Sequence, residues 1–291
     1  MTGADRPSRI RVERPADGVC RITLTRPKRR NAQDRRMLYE LNDAFDEAMA
    51  DDEVRVVILA ADGLHFSSGH DLELADSLVS DDDFVAVSAW SQSRRLGLGG
   101  WYAAEQELFL QLCWRWRNLP KPTIAQVQGK VIGGGLMLMW PCDLIVAGRS
   151  ATFIESAVAM GCNGGELFVH PWELGHRKAK EFLFTGDPIT AAQAQALGMV
   201  NRVVEDDELE AATLRLASRV ALQPPLAITL AKQSVNHALD AQGQWATVEY
   251  AFALHQLGHA DNRLRHGGSV VDPAGARRVR EENRARGGAS T

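Results

Sequence analysis

Three consecutive glycines, Gly133-Gly134-Gly135, stand between a β-type run, Thr123 to Gln128 (TIAQVQ), and a stretch in which five of the next six residues are Leu, Met or Trp. Without Cβ atoms at three successive positions the backbone can turn sharply and approach another segment closely. A second bend has the same outline. The buried-strand run Val54 to Ala60 (VRVVILA) passes through Ala61-Asp62-Gly63 into Phe66-Ser67-Ser68-Gly69-His70-Asp71-Leu72. Both read as strand, glycine, then the first turn of a helix.

The rest of the chain alternates strand and helix signals before turning to helix alone. Ile10 to Glu13 and Val19 to Thr25 alternate polar and apolar residues around Pro15-Ala16-Asp17-Gly18, which predicts a strand, turn, strand unit. Gln33 to Asp51 carries Met37, Leu38, Leu41, Phe45 and Ala48 at helical spacing. Tyr102 to Asn118 reads as helix, stopped by Pro120 and Pro122, and Asp143 to Ala147 as strand. Further helices are predicted over Glu166 to Leu174, Arg177 to Phe184, Ala191 to Leu197, Asp207 to Leu222, Leu226 to Leu239 and Gln244 to Leu264. The fold class is therefore α/β, with a core over residues 1–206 and a helical C-terminal region over 207–272. Residues 76–100 join an acidic cluster to glycine-rich SRRLGLGGW and are expected to form a mobile insertion with some helix. No strand precedes Gly97-Leu98-Gly99-Gly100, so it is a poor dinucleotide loop. Residues 273–291, with five arginines among small and polar residues, are expected to be a flexible tail.

Composition narrows the functional classes. At 291 residues and 45% hydrophobic, the chain can bury a large core, and a net charge of −4 gives no global field toward nucleic acid or a membrane. No run approaches the roughly 18 apolar residues of a spanning helix, and the first residues lack the apolar stretch of a signal peptide. Cys20, Cys113, Cys142 and Cys162 show no metal-ligand spacing and suit a reducing compartment, so a cytoplasmic location is expected.

The first peptide N–H groups of a helix lack intrahelical partners and carry positive partial charge. Two bends aimed at one point would place two such donors where negative charge on a carbonyl oxygen could be stabilised. The alternative is that the glycines only permit close helix–strand packing. The recurrence of the bend favours the first reading.

Four segments, ITLTRPKRRNA, ILAADGLHFSSGHDL, LPKPTIAQVQGKVIGGGLMLMWPCDLIVA and LFTGDPITAAQAQALGMVNRVV, together resemble the enoyl-CoA hydratase/isomerase, or crotonase, superfamily, from about Ile22 to Val204. The resemblance implies a crotonase-like spiral of ββα units whose helical C-terminal region makes homotrimers or hexamers. It implies that the backbone N–H groups of His70 and Gly134 hold the thioester carbonyl of an acyl-CoA, with the His70 side chain incidental. Lys28, Arg29 and Arg30 would meet CoA phosphates, and Ser68, Asp71, Leu72 and Gly133 would line the substrate site. Where many relatives carry a lysine three residues past the oxyanion position, this chain has Glu73. Coenzyme A enters as part of the substrate, with no separate cofactor, no nucleic-acid partner and no membrane.

The resemblance also exposes a gap. Hydratases of the family use two glutamates, and the corresponding positions here are Met137 and Ala157. Neither side chain transfers protons. Glu166 and, two residues before Ala157, Glu155 are the candidate acid–base groups. Asp143, at a strand start, reads as structural. His255 and His259 share a helix face at i, i+4 and could both touch a metal, but with no third ligand evident no metal site is expected. No base beside Cys162 is readable along the chain, so it reads as a buried or inert thiol. Trp90 and Trp101 flank the glycine-rich insertion and are candidates to line an acyl pocket. The chain is thus expected to be an enoyl-CoA hydratase/isomerase-type enzyme, a lyase or isomerase, or else an inactive acyl-CoA-binding protein.

Overall fold

The computed structural model describes residues 8–72, 87–88 and 97–288. Glu73, Trp90 and most of the expected insertion lie outside the described residues. β1 (Ile10–Ala16) and β2 (Val19–Leu24) form an antiparallel pair; α1 (Arg35–Ala50) and β3 (Val56–Ala61) follow. The Asp34 carboxylate accepts the Met37 N–H at 2.8 Å and caps α1, which explains why the helix starts two residues later than its apolar spacing suggests. α2 (Gly97–Glu105) continues through a π-helical turn (Gln106–Gln111) into α3 (Leu112–Arg117), so Gly97 to Gly100 open a helix.

β4 (Thr123–Val127), β5 (Lys130–Ile132) and the short α4 (Gly134–Met139) form the next unit, and β6 (Leu144–Gly148) and β7 (Thr152–Ile154) open another. α5 (His170–Leu174), α6 (His176–Thr185), β8 (Ile189–Thr190), α7 (Ala191–Leu197) and β9 (Arg202–Val204) complete the α/β part. The first strands of successive units stack in a six-stranded sheet of order β1-β2-β3-β4-β6-β9, parallel except for β1–β2. The second strands build a smaller sheet, β5-β7-β8. This is the spiral of ββα units that the resemblance implies.

Both faces of the large sheet are covered, so β3 is buried along its whole length. Val57 and Leu59 face the main core with Ile22, Leu24 and Ala125; Val56, Ile58 and Ala60 face a second core with Leu216 and Ala217. Those last two belong to α8 (Leu209–Ala221), which lies across β3, β4 and β6. The polar face that alternation predicts for β2 is absent: all of β2 is buried, and Arg21 reaches Glu210 on α8 to keep its charge paired.

α9 (Pro225–Ala241), α10 (Gln244–Arg265) and α11 (Pro273–Gly288) end the described chain. α11 corrects the expectation of a flexible tail. Its Ala276 is buried, and its Gly275 sits so close to Ala159 that a Cβ would stand 1.7 Å from that carbonyl oxygen. Among the described residues no helix is long and apolar enough to cross a membrane.

On α5, burial pushes the Glu173 carboxyl up to about 7. The folded chain then holds a proton that the unfolded chain releases between about pH 4.5 and 7, so stability falls as pH rises through that window. Glu173→Gln removes the effect. Denaturant titration should find the variant more stable at pH 8 by roughly 1–3 kcal/mol and equal to the parent at pH 4.

Candidate active site

The two glycine bends touch. The first is fastened by Phe66 N–H donating to the Gln128 carbonyl (2.9 Å) and Ser68 N–H to the Arg30 carbonyl (2.9 Å). Gln33 then brackets His70: its N–H donates to the Gly69 carbonyl and its carbonyl accepts Asp71 N–H, both at 2.8 Å. In the second bend Ile132 N–H donates to the Ser67 carbonyl (3.0 Å) and Gly133 N–H to the Ile154 carbonyl (2.9 Å). The Gln33 side chain joins the two, its Nε2 donating to the Gly134 carbonyl at 2.6 Å. Sequence reasoning missed Gln33, because nothing local marks a glutamine that spans 101 positions.

The glycines are required by this contact. Gly69 has φ +85°, and a Cβ there would stand 2.6 Å from the Ile132 carbonyl oxygen and 3.0 Å from the Gly134 nitrogen. A Cβ at Gly134 would meet the His70 ring at 2.7 Å, and one at Gly135 would meet the Ser67 carbonyl oxygen at 2.6 Å. Among the described residues, the N–H groups of His70 and Gly134 donate to no protein acceptor. Gly134 opens α4, as the glycine pattern predicts. His70 instead lies in an isolated bridge with Gln33, so its amide is aimed by pairing and not by a helix start within the described residues.

Two cavities meet at these amides, with His70, Gly133 and Gly134 on the wall of both. The outer one is a cleft of about 490 Å³ lined also by Ser68, Leu72 and four cations, Arg30, Lys130, Arg280 and Arg284. The segment Lys28-Arg29-Arg30 therefore contributes less to the cleft than expected. Lys28 is exposed and lines neither cavity, and Arg29 bonds Asp71 at 3.0 Å. Asp71 also bonds Arg26 at 3.0 Å, so its buried carboxylate is an anchor for the loop. Two of the cations on the cleft wall, Arg280 and Arg284, come from α11. An arginine-rich end with low hydrophobicity gives no sequence signal that it will dock.

The inner cavity, about 90 Å³, is lined by Glu166, Glu155, Ala157 and Trp101. Glu166 does not open a helix: it lies in an irregular loop four residues before α5, so a helix-capping role is removed. Its Oε2 is 3.2 Å from His70 Nε2 and its Oε1 is 3.6 Å from His255 Nε2. Burial alone would raise the Glu166 carboxyl; attraction to His70 and His255 outweighs it and holds the group well below the usual carboxylate range. Burial would likewise lower His70, but Glu166 raises it. The His70 ring also packs at 3.9 Å on Phe109, so this side chain is held between the acid and an aromatic ring.

Glu155 is committed elsewhere. Its Oε2 pairs with His170 Nε2 at 3.2 Å and its Oε1 accepts Ala157 N–H at 2.9 Å. Burial would raise its carboxyl, and these two partners bring it below its ordinary value. Met137 and Ala157 are both buried. Asp143 holds Thr123 N–H at 2.8 Å and Lys232 at 2.8 Å, a structural role. Glu105, His255 and His259 complete the inner wall. The histidine spacing was visible in sequence, but Glu105 carried no signal.

A ββα spiral that presses two glycine bends together, with the His70 and Gly134 amides donating to no acceptor among the described residues, points to one class of protein. Residues 14–267 match the family model for enoyl-CoA hydratase/isomerase. EchA13 of Mycobacterium tuberculosis, provisionally named an enoyl-CoA hydratase, is 46% identical over 86% of this chain and 80% of its own length. A crystal structure from Mycobacterium smegmatis, also provisionally named an enoyl-CoA hydratase, superposes with a TM-score of 0.80 at 44% identity, covering 90% of this chain and 98% of that one. A 4-chlorobenzoyl coenzyme A dehalogenase from Arthrobacter is 30% identical over 72% of this chain and 71% of its length. The chain belongs to the enoyl-CoA hydratase/isomerase, or crotonase, family.

Proposed function

We propose that this chain is an acyl-CoA enzyme that holds the thioester carbonyl oxygen between the N–H groups of His70 and Gly134 and moves a proton beside that carbonyl with Glu166. The observation that carries the reading is the pair of unspent amides at the junction of the two cavities, with the Glu166 carboxylate on the inner wall. Coenzyme A would lie in the outer cleft as part of the substrate, its phosphates near Arg30, Lys130, Arg280 and Arg284. The acyl group would enter the inner cavity past Trp101.

Removing a proton next to a thioester shifts charge onto the carbonyl oxygen. Two preorganised donors favour that enolate-like state over the ground state, which lowers the barrier. Glu166 enters ionised, ready to accept the proton, and His70 positions it. Met137 and Ala157 stand at the positions of the two hydratase glutamates and offer no proton transfer, so isomerisation or another enolate reaction fits better than ordinary hydration. Exposed Leu226, Leu230, Val235, Leu254 and Leu257 on α9 and α10 suit a homotrimeric or hexameric assembly.

A second reading, an acyl-CoA binder without turnover, is favoured by one observation: Glu166 is ion-paired on two sides and therefore a weakened base. Titration with free CoA, crotonyl-CoA and longer enoyl-CoAs, followed by product analysis, tests both. Thioesters should bind more tightly than CoA, and at least one should be converted. Binding without conversion selects the second reading; no binding of any thioester sinks both.

A further inference from the structure

Behind Glu166 the inner cavity ends in four buried donors. One atom each from Glu105, Glu166, His255 and His259 lies within 4.8 Å of the others. His255 and His259 follow one another by a turn of α10, and each ring is oriented from behind. His255 Nδ1 donates to the Gly164 carbonyl and His259 Nδ1 to the Val270 carbonyl, both at 2.7 Å. A carbonyl oxygen can only accept, so both Nδ1 atoms carry hydrogen. In the neutral rings both Nε2 atoms are then lone pairs, yet they face each other across 2.9 Å. Outside them stand two carboxylates, with Glu105 Oε1 3.2 Å from His259 Nε2 and Glu166 Oε1 3.6 Å from His255 Nε2.

One proton between the rings would serve the nitrogens and balance Glu105, while Glu166 would rely on His70 at 3.2 Å. A divalent cation serves both nitrogens and balances both carboxylates. We propose that Glu105, Glu166, His255 and His259 bind a divalent transition-metal ion of the zinc or iron(II) kind, in a state where Glu166 is spent on the metal and is not the free base of the acyl-CoA reading. Imidazole nitrogen and carboxylate oxygen suit such ions, and a backbone carbonyl on the far ring nitrogen is the outer contact that metal-binding histidines ordinarily make. A tetrahedral zinc with bonds of about 2.1 Å needs donor separations of about 3.4 Å. The three separations above bracket that value, and rotation of the two carboxylates supplies the remaining closure. The i, i+4 histidines lacked a third ligand in the sequence; folding supplies two, from 89 to 154 positions away.

The test uses the whole chain, stripped with a chelator and desalted, and no acyl-CoA. It is titrated with Zn²⁺ alone and with Co²⁺ alone. A single equivalent should be taken up per chain, Zn²⁺ should raise Tm, and Co²⁺ should give visible d–d absorption that Zn²⁺ displaces. Two exchangeable, hyperfine-shifted imidazole N–H signals in the Co²⁺ form would report both histidines without any variant. Glu105→Gln and His259→Gln should each abolish stoichiometric uptake. A stripped wild-type chain that takes up no stoichiometric ion, or uptake unchanged in a folded Glu105→Gln chain, overturns the proposal. Because metal uptake is read without thioester, its failure and a failure of the acyl-CoA reading are separate results.

Discussion

Under the proposed function, Glu166→Gln should lower acyl-CoA turnover at least about 100-fold and leave thioester affinity within a few-fold of the parent. The substitution keeps the shape of the side chain and removes its ability to accept a proton. Neither of the two proposed oxyanion amides belongs to Glu166, and the cations of the outer cleft are untouched, so binding should survive. Parallel loss of kcat and kcat/KM, measured with parent and variant both stripped of metal, would place the defect in the proton-transfer step and not in metal retention. Glu155→Gln should behave differently, because Glu155 is bonded to His170 and Ala157; its main effect is expected on Tm. Unchanged turnover in Glu166→Gln would remove Glu166 from the chemistry.

Gly69→Ala should cost about 2–4 kcal/mol of stability and abolish measurable thioester binding. Two penalties combine. Alanine resists φ +85°, and its methyl group would stand 2.6 Å from one backbone oxygen and 3.0 Å from the Gly134 nitrogen. Neither neighbour is a flexible side-chain tip that can swing aside. Relief requires the bends to separate, which spreads the two amides that the thioester oxygen would bridge. Gly99→Ala, where a Cβ meets nothing within 4 Å, is the control and should change neither quantity. Denaturant titration and equilibrium binding measure the two effects. A Gly69→Ala chain with parental stability and affinity would show that close contact between the bends is unimportant.

Much of the frame was legible before any coordinates, and the misses have physical causes. The helix predicted over Ala191 to Leu197 has those bounds in the structure, where a capping box at Thr190 and Gln193 fixes its start and Gly198 its end. The helix read at Glu166 was displaced because an apolar period cannot distinguish a helix from an irregular buried loop over so few residues. Of the cationic segment Lys28 to Arg30, only Arg30 lines the outer cleft, and the reason lies in pairing. A charge run shows how many cations exist, but not that Asp71 neutralises one of them.

What the sequence determined by itself is therefore local: β3 as a buried strand, α1 and α10 as helices, and the places where only glycine permits a bend. Side-chain alternation, helical period and φ restriction act over a few residues and can be read in a line. Which buried charge meets which was decided by tertiary structure alone. Glu166 faces His70 and His255, Glu105 faces His259, and α11 closes the cleft only because chain segments far apart are packed together. Coulombic and hydrogen-bond partners depend on distance in space, and no spacing along the chain encodes it.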